Sequence, residues 1–357
     1  MKNWQETERL MDRVHAILRE GGCCAVGTVV SISGSAYRRP GAKLLVEEDG
    51  RTSGGVSGGC LEADVREIAL ATLHDGASTL RRYDTGADED IVWGLGLGCN
   101  GTVEILIQPY SPEGAAGFVD GVRALLAAGV RFAVATALPS GEGAAASAVI
   151  GEAGEVVIGT GDGALDERLA RSAQGVLEGG DPARVADGDL SAFIDVLRPP
   201  PEALICGAGD DAIAMAAVAA QAGFRVAVAD HRPAFLTAER FPGARLLDPD
   251  GLPEGALGDT FAVVMTHNLE RDRRWVHALA GRDAPYIGLL GPRARREDIF
   301  SALDDAAMAR IFGPVGLDIG ADGPEQVAVS VVAEMLAVRS GREPRHLRDR
   351  ERPIHAD

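Results

Sequence analysis

Residues 203–230 restrict most strongly what this chain can fold into. An apolar run, Ala203 to Cys206, enters the turn Gly207-Ala208-Gly209-Asp210-Asp211-Ala212. An alanine-rich stretch to Ala222 follows, and then a second apolar run, Phe224 to Ala229, closed by Asp230. Strand, glycine turn, helix, strand and terminal acid in that order predict a right-handed βαβ unit opening a doubly wound parallel sheet. Alanine fills the third position of the G-x-G-x-x-G/A pattern, and the acid falls where a ribose hydroxyl would meet it. Gly207, Gly209 and Asp230 are therefore candidate nucleotide contacts, and Arg232 either meets a 2′-phosphate or is an ordinary solvated arginine. Asp210 and Asp211 oppose that reading, because carboxylates facing a phosphate repel it.

The apolar run Phe261 to Val264 ends at Met265-Thr266-His267-Asn268, and Tyr286-Ile287-Gly288-Leu289-Leu290 ends in a glycine turn. Both place their turns at the carboxyl edge of a parallel sheet, where open α/β folds bind ligands. His267 is the acid/base candidate there, against the reading of a structural histidine. Arg198-Pro199-Pro200-Pro201 is the clearest linker, since consecutive prolines continue neither a helix nor a central strand. We expect one domain over 1–198, a second over 199–345 and a polar tail over 346–357.

The first half carries two glycine-rich loops that each end in a cysteine, Gly54-Gly55-Val56-Ser57-Gly58-Gly59-Cys60 and Gly94-Leu95-Gly96-Leu97-Gly98-Cys99. Glycines at Gly58, Gly59 and Gly98 let the main chain approach a ligand, and a thiolate is both a nucleophile and a soft metal ligand. After Cys60, apolar residues recur at helical spacing to Leu73, which predicts Cys60 at a helix N-terminus. Residues 4–20 read as a starting helix with Trp4 to Leu18 on one stripe, which Gly21-Gly22 stops. Cys24 to Ser33, Ala42 to Glu47 and Thr102 to Gln108 read as strands, the first two belonging to a small mixed sheet. Helices near 118–128 and 165–177, a strand over 132–138 and a hairpin around Gly151 to Gly154 follow. Ser33 to Pro40 sets Arg38 and Arg39 beside small polar residues, with Lys43 close by. This is either an anion site or an ordinary exposed loop. Asp84, Asp88, Glu89 and Asp90 are either a metal or acid/base cluster or a solvated run.

Of 357 residues, 46% are hydrophobic and 25% charged, the profile of a globular protein, and the net charge of −18 argues against nucleic acid or an anionic membrane as partner. The start lacks a secretory pattern and no run reaches membrane-spanning length, so a cytoplasmic protein is expected. The five cysteines form no C-x-x-C pair, and Cys23, Cys24 and Cys206 sit among small apolar neighbours as buried thiols. No Ser-His-Asp order, H-E-x-x-H or Walker A sequence supports a hydrolase or kinase.

With these motifs in view, the chain resembles the XdhC/CoxI family, the accessory proteins of molybdenum hydroxylases. The resemblance rests on Ser35 to Lys43, Gly54 to Glu62, Gly94 to Gly101, Asp230 to Pro233, Glu239 to Pro242, Tyr286 to Arg293 and Gly313 to Gly320, and covers nearly the whole length. Asn100 departs from relatives that carry glycine there. The resemblance implies an α+β XdhC/CoxI domain followed by a Rossmann-like domain, in a homodimeric protein that binds molybdenum cofactor (molybdopterin). It further implies that the protein protects the cofactor, promotes its sulfuration with a cysteine desulfurase and inserts it into the hydroxylase apo-enzyme. Cys60 and Cys99 would then contact molybdenum, and Arg38 and Arg39 the cofactor's phosphate. The rival reading is an NAD(P)-dependent oxidoreductase, with nicotinamide or another nucleotide in the Rossmann domain and His267 as acid/base.

Overall fold

The structure, a computed structural model, describes residues 2–34, 38–84, 101–139, 142–143, 145–248, 257–294, 299 and 303–350. It divides into two compact units, Met1–Pro199 and Pro200–Asp357. Among the described residues no helix is long and apolar enough to cross a membrane.

In the first unit, α1 (Lys2–Arg19) buries Trp4, Leu10, Met11, Val14, Ile17 and Leu18, the stripe its spacing predicts. β1 (Cys24–Gly34), β2 (Lys43–Glu47), β3 (Thr52–Gly54), β4 (Ser78–Asp84), β5 (Gly101–Tyr110) and β7 (Glu142–Gly143) form one sheet, in the order β3-β2-β1-β5-β4-β7. Every pairing in it is antiparallel, which corrects the expected mixed sheet. The reason is connection length: the β1–β2 and β2–β3 links are too short for the crossover that parallel neighbours need. α2 (Glu62–Asp75) covers this sheet by packing Val65 and Ala69 against Ala25, Val29, Leu44, Val46, Ile105 and Ile107.

A second antiparallel sheet, in the order β10-β11-β6-β8-β9, joins β6 (Phe132–Ala137), β8 (Ala146–Gly151) and β9 (Val156–Ile158) to the hairpin β10 (Ala183–Asp187) and β11 (Leu190–Leu197). That hairpin turns through Gly188-Asp189, a turn signal in the sequence that the expected element order leaves out. α3 (Pro112–Ala128) begins two turns earlier than its apolar spacing suggests, because the Ser111 hydroxyl caps it and Pro112 occupies its first turn. α4 (Gly163–Gly179) closes the unit over the second sheet.

The first sheet's register has a consequence for function. β1 and β4 end where β2 and β5 begin, and β3 ends beside the start of β2. The strand ends that flank 35–42, 55–61 and 85–100 therefore all lie at one end of one sheet. Those are the three segments that carry the first unit's motifs.

The second unit holds β12 (Glu202–Cys206), β13 (Arg225–Ala229), β14 (Arg245–Leu247), β15 (Thr260–Val264), β16 (Tyr286–Leu289) and β17 (Ile311–Phe312), in the order β14-β13-β12-β15-β16-β17. All pairings are parallel. Counted from its own first strand the order is 3-2-1-4-5-6, the Rossmann arrangement, so the α/β reading with a doubly wound C-terminal sheet holds. α5 (Asp210–Gln221) links β12 to β13, and α6 (Leu269–Ala280) links β15 to β16. Phe224, Phe261, Tyr286 and Phe312 run ring to ring across the strands at centroid spacings of 5.7, 5.9 and 4.7 Å.

Candidate functional site

Cys60 lies two residues before α2, in a loop that folds around Ser57. The Ser57 hydroxyl oxygen accepts from the amides of Gly59, Cys60 and Leu61 at 3.1, 3.0 and 3.1 Å and donates to the Glu62 carboxylate. Glu62 in turn accepts from the amides of Val56 (3.1 Å) and Ser57 (2.8 Å). Burial pushes the Glu62 carboxyl up, but the bonds from the Ser57 hydroxyl and these amides outweigh it and leave its pKa below the ordinary value. The amides that glycine density offers to a ligand are thus largely turned inward. What the loop presents outward is the half-buried Cys60 thiol and open space in front of Gly59, whose φ of +112° suits glycine.

The two arginines have different fates. Arg38 is 13% exposed and forks onto Glu6 at 2.9 and 3.3 Å, while its Nε donates to the Gly55 carbonyl at 3.0 Å. It braces the cysteine loop with its charge already matched. Arg39 is exposed, and among the described residues its guanidinium has no ion-pair partner. Lys43, expected near an anion, points into the unit instead: its ammonium donates to Asp195 of β11 at 2.5 Å and to the Gly41 carbonyl at 3.0 Å. Burial of an apolar strand pair around an acid explains the turn inward, because an isolated Asp195 carboxylate there would be far costlier than a paired one. Cys99 and Gly98, with Asp88, Glu89 and Asp90, lie outside the described residues. Asp84 is the last residue of β4. Among the described residues no group of three or more His, Cys, Asp or Glu side chains gathers as a metal would require.

The structure brings Gly207, Gly209, Asp230 and His267 together at the carboxyl edge of the parallel sheet, but with their polar groups spent on one another. The Asp230 side chain, 2% exposed, accepts from the amides of Ala208 and Arg232 at 2.8 Å each and from the Arg232 guanidinium at 2.9 and 2.8 Å. Burial raises its pKa, and these bonds from Arg232 and Ala208 more than reverse it, leaving the carboxyl far below the usual range. Both oxygens thus already accept from the chain itself, which opposes the expected ribose contact. Arg232, stacked 4.1 Å over Phe235, is committed with it.

At the glycine turn, one oxygen of Asp211, in the first turn of α5, accepts from the Ala212 amide at 3.1 Å, and the other meets His267 Nε2 at 2.8 Å. Asp210 pairs with Arg240 at 3.0 Å, whose guanidinium also bonds the Ala208 carbonyl at 3.1 Å. His267, at φ +56°, is therefore tied to a carboxylate at the phosphate position. A dinucleotide does not fit this edge as built, because a pyrophosphate would face the Asp211 carboxylate and a ribose the closed Asp230–Arg232 clamp. Titration with NADH or NADPH, followed by nicotinamide fluorescence, is expected to give no saturation below about 1 mM, roughly 4 kcal/mol of binding. Micromolar saturation would show that these side chains yield.

Glu6 and Asp195 do not stand out in the sequence, and Ser57, Glu62 and Arg240 fall inside its motifs without an assigned role. Ser57 and Glu62 have a signal, a hydroxyl and a carboxylate flanking a glycine run before a helix. Asp195 has another, a lone acid inside the apolar run Phe193-Ile194-Asp195-Val196-Leu197.

Known proteins share this arrangement. The XdhC and CoxI family profile matches residues 17–84, and the XdhC Rossmann domain profile matches residues 203–335. A probable xanthine dehydrogenase subunit of Bacillus subtilis is 32% identical over 91% of this chain and 96% of its own. The molybdenum cofactor insertion chaperone PaoD of Escherichia coli is 25% identical over 95% of this chain and 93% of its own. A crystal structure described as a xanthine dehydrogenase from Bacillus halodurans superposes with a TM-score of 0.76 at 27% identity, covering 93% of this chain and 96% of that one. With the cysteine-loop segment, the Rossmann strand order and a relative matched end to end all in agreement, this chain belongs to the XdhC and CoxI family.

Proposed function

We propose that this protein carries molybdenum cofactor, protecting it, assisting its sulfuration and inserting it into a molybdenum hydroxylase of the xanthine dehydrogenase or carbon monoxide dehydrogenase kind. The observation that carries the reading is that the strand ends flanking three motif-bearing segments lie at one end of the antiparallel sheet, where the Cys60 thiol is half-exposed. The cargo offers a phosphate, a dithiolene and a soft metal centre. Cys60 supplies a sulfur ligand suited to that metal, Arg39 an unspent guanidinium suited to the phosphate, and Gly58 and Gly59 a side-chain-free approach. Arg38 acts through the loop, holding the Gly55 carbonyl rather than the cargo. Cys99 is assigned a second contact by resemblance.

In this reading, residues 1–198 form the cofactor-binding domain and 199–345 the Rossmann-like domain of a cytoplasmic homodimer. Its partners are the hydroxylase apo-enzyme and a cysteine desulfurase. The relative named as a molybdenum cofactor insertion chaperone supports the cofactor-inserting role.

The test is molybdopterin retained by the purified protein, read as its fluorescent oxidation product. Cys60→Ala is expected to lower retention at least about tenfold, worth roughly 1.4 kcal/mol, with an unchanged melting temperature. Arg39→Ala should lower it by less. Parental retention in Cys60→Ala removes that residue from the site. A parent protein that retains none when cofactor is supplied overturns the function.

A further inference from the structure

The second unit lacks a helix that its fold normally has. A Rossmann sheet carries a crossover helix between its second and third strands, packed beside the helix that follows the first. Here the chain between β13 and β14 makes only the single 3-10 turn Pro233–Phe235 and then runs as a loop to Arg245. The flank of α5 that the absent helix would cover is left as a groove of about 520 Å³.

The walls and rim of that groove differ. Ile213, Ala217 and Ala220 of α5 face Phe224, Val226 and Phe241, an apolar slot whose alanines leave room for a flat body. The rim holds three arginines, Arg225, Arg240 and Arg245, against the single carboxylate of Glu202. Arg245 is paired with Glu202 at 2.7 Å and Arg240 with the 91% exposed Asp210. The Arg225 Nε donates to the Pro200 carbonyl at 3.0 Å, which orients the guanidinium and leaves its terminal nitrogens for another acceptor. A cation-rich rim on a chain of net charge −18 is a local reversal of sign.

We infer that this groove is a binding site for a small apolar anion, a flat aromatic or short acyl body bearing one acidic group. The volume lies within the range of small-molecule pockets, and the apolar wall with few polar groups at the rim is their usual make-up. The apolar body lies along α5 from Ile213 toward Gln221, and the acidic group meets Arg225 at the amino ends of the strands. The seat of the acidic group is at the other end of the strands from the carboxyl edge where the fold's nucleotide would sit, while the rim reaches that edge through Arg240, and the site does not depend on Cys60.

The probe is 8-anilinonaphthalene-1-sulfonate, titrated into the full-length native protein and read by fluorescence, with 1-naphthoate as a non-fluorescent competitor. Saturable binding at about one site per chain is expected, displaced by naphthoate and weakened severalfold by Arg225→Gln. Ala217→Trp fills the slot from an exposed position of α5 and should weaken binding at least about tenfold. Ala220→Phe, also exposed, repeats the test should the tryptophan variant fold poorly. Absence of saturable binding, or binding that neither filling variant weakens, overturns the site. Probe binding that falls as protein concentration rises, together with dimers in sedimentation, also overturns it and gives the groove to a second copy of the chain.

Discussion

Asp195→Ala is expected to destabilise the N-terminal unit by about 3–5 kcal/mol, the usual cost of breaking a buried ion pair from one side. The pair joins the two sheets: Lys43 opens β2 in the first, and Asp195 sits in β11 of the second, with side chains 10% and 4% exposed. Asp195 also accepts from Asn3 of α1 at 3.0 Å, and the ammonium reaches Thr7 of α1 at 3.3 Å. Truncation leaves a buried ammonium facing only neutral oxygens. A neighbouring cavity of about 30 Å³, lined by Lys43, Gln108, Thr136 and Ser147 among others, is large enough for one water to approach. That relief points to the lower half of the range. Denaturant unfolding of the full chain should show a lower midpoint for one transition at unchanged slope. Replacing both partners by apolar residues, Lys43→Met with Asp195→Leu, should recover much of the loss, because the penalty lies in the orphaned charge. A single variant that loses less than about 1 kcal/mol would mean that the pair adds little beyond its packing.

Function enters this prediction through Gly41. The Lys43 ammonium bonds its carbonyl, and a Cβ on Gly41 would lie 2.9 Å from the Asp195 carboxylate. The ion pair therefore fixes the base of the segment that carries Arg38 and Arg39. Lys43 belongs to the same motif as those arginines, yet its partner is 152 residues away. No local reading separates a lysine that meets a ligand from one that meets a distant aspartate.

The same limit explains which features are legible in the sequence. The βαβ unit of 203–230 is, because strand, turn and helix signals are short-range and agree with one another. The fate of its polar groups is not. The pattern presents Asp230 as an acid reaching outward, but Arg232 two residues on closes over it, and the Ala208 amide donates from the neighbouring strand's turn. Cys60 ahead of a helix is legible from the apolar spacing after it. The inward turn of its loop amides is not, since that depends on whether Ser57 or a ligand takes them. The β10–β11 hairpin carries a local signal in the Asp187-Gly188-Asp189 turn, but its strands are harder to read, because Asp195 interrupts the apolar run of β11 and β10 is only half-buried. Without that hairpin, neither the second sheet nor the partner of Lys43 can be placed.

The two glycines of the turn after β12 should respond to alanine very differently. Gly207 has φ +120°, and a Cβ there would lie 2.6 Å from the carbonyl oxygen of Met265, 2.9 Å from its carbon and 3.1 Å from Thr266 Cα. All three are backbone atoms of the adjoining turn, so nothing can swing aside. Conformational strain of about 1–3 kcal/mol adds to overpacking of similar size. Gly207→Ala should thus cost about 3–5 kcal/mol and lower the thermal transition of the second unit. Gly209 has φ −63°, ordinary for any residue, and its Cβ would meet only Asp211 Oδ1, at 2.7 Å. That carboxylate can rotate away, giving up its bond to the Ala212 amide, worth about 0.5–1.5 kcal/mol. The alanine returns about 0.4–1 kcal/mol by restricting the unfolded chain, so Gly209→Ala should stay within about 1 kcal/mol of the parent. In a dinucleotide site the second glycine is required because a pyrophosphate approaches it. Here the chain's own Asp211 occupies that approach, which is why the cost should be small. Equal and large losses at both positions, measured by thermal unfolding, would mean that Gly209 is held by a constraint other than Asp211 and would reopen the turn as a phosphate seat.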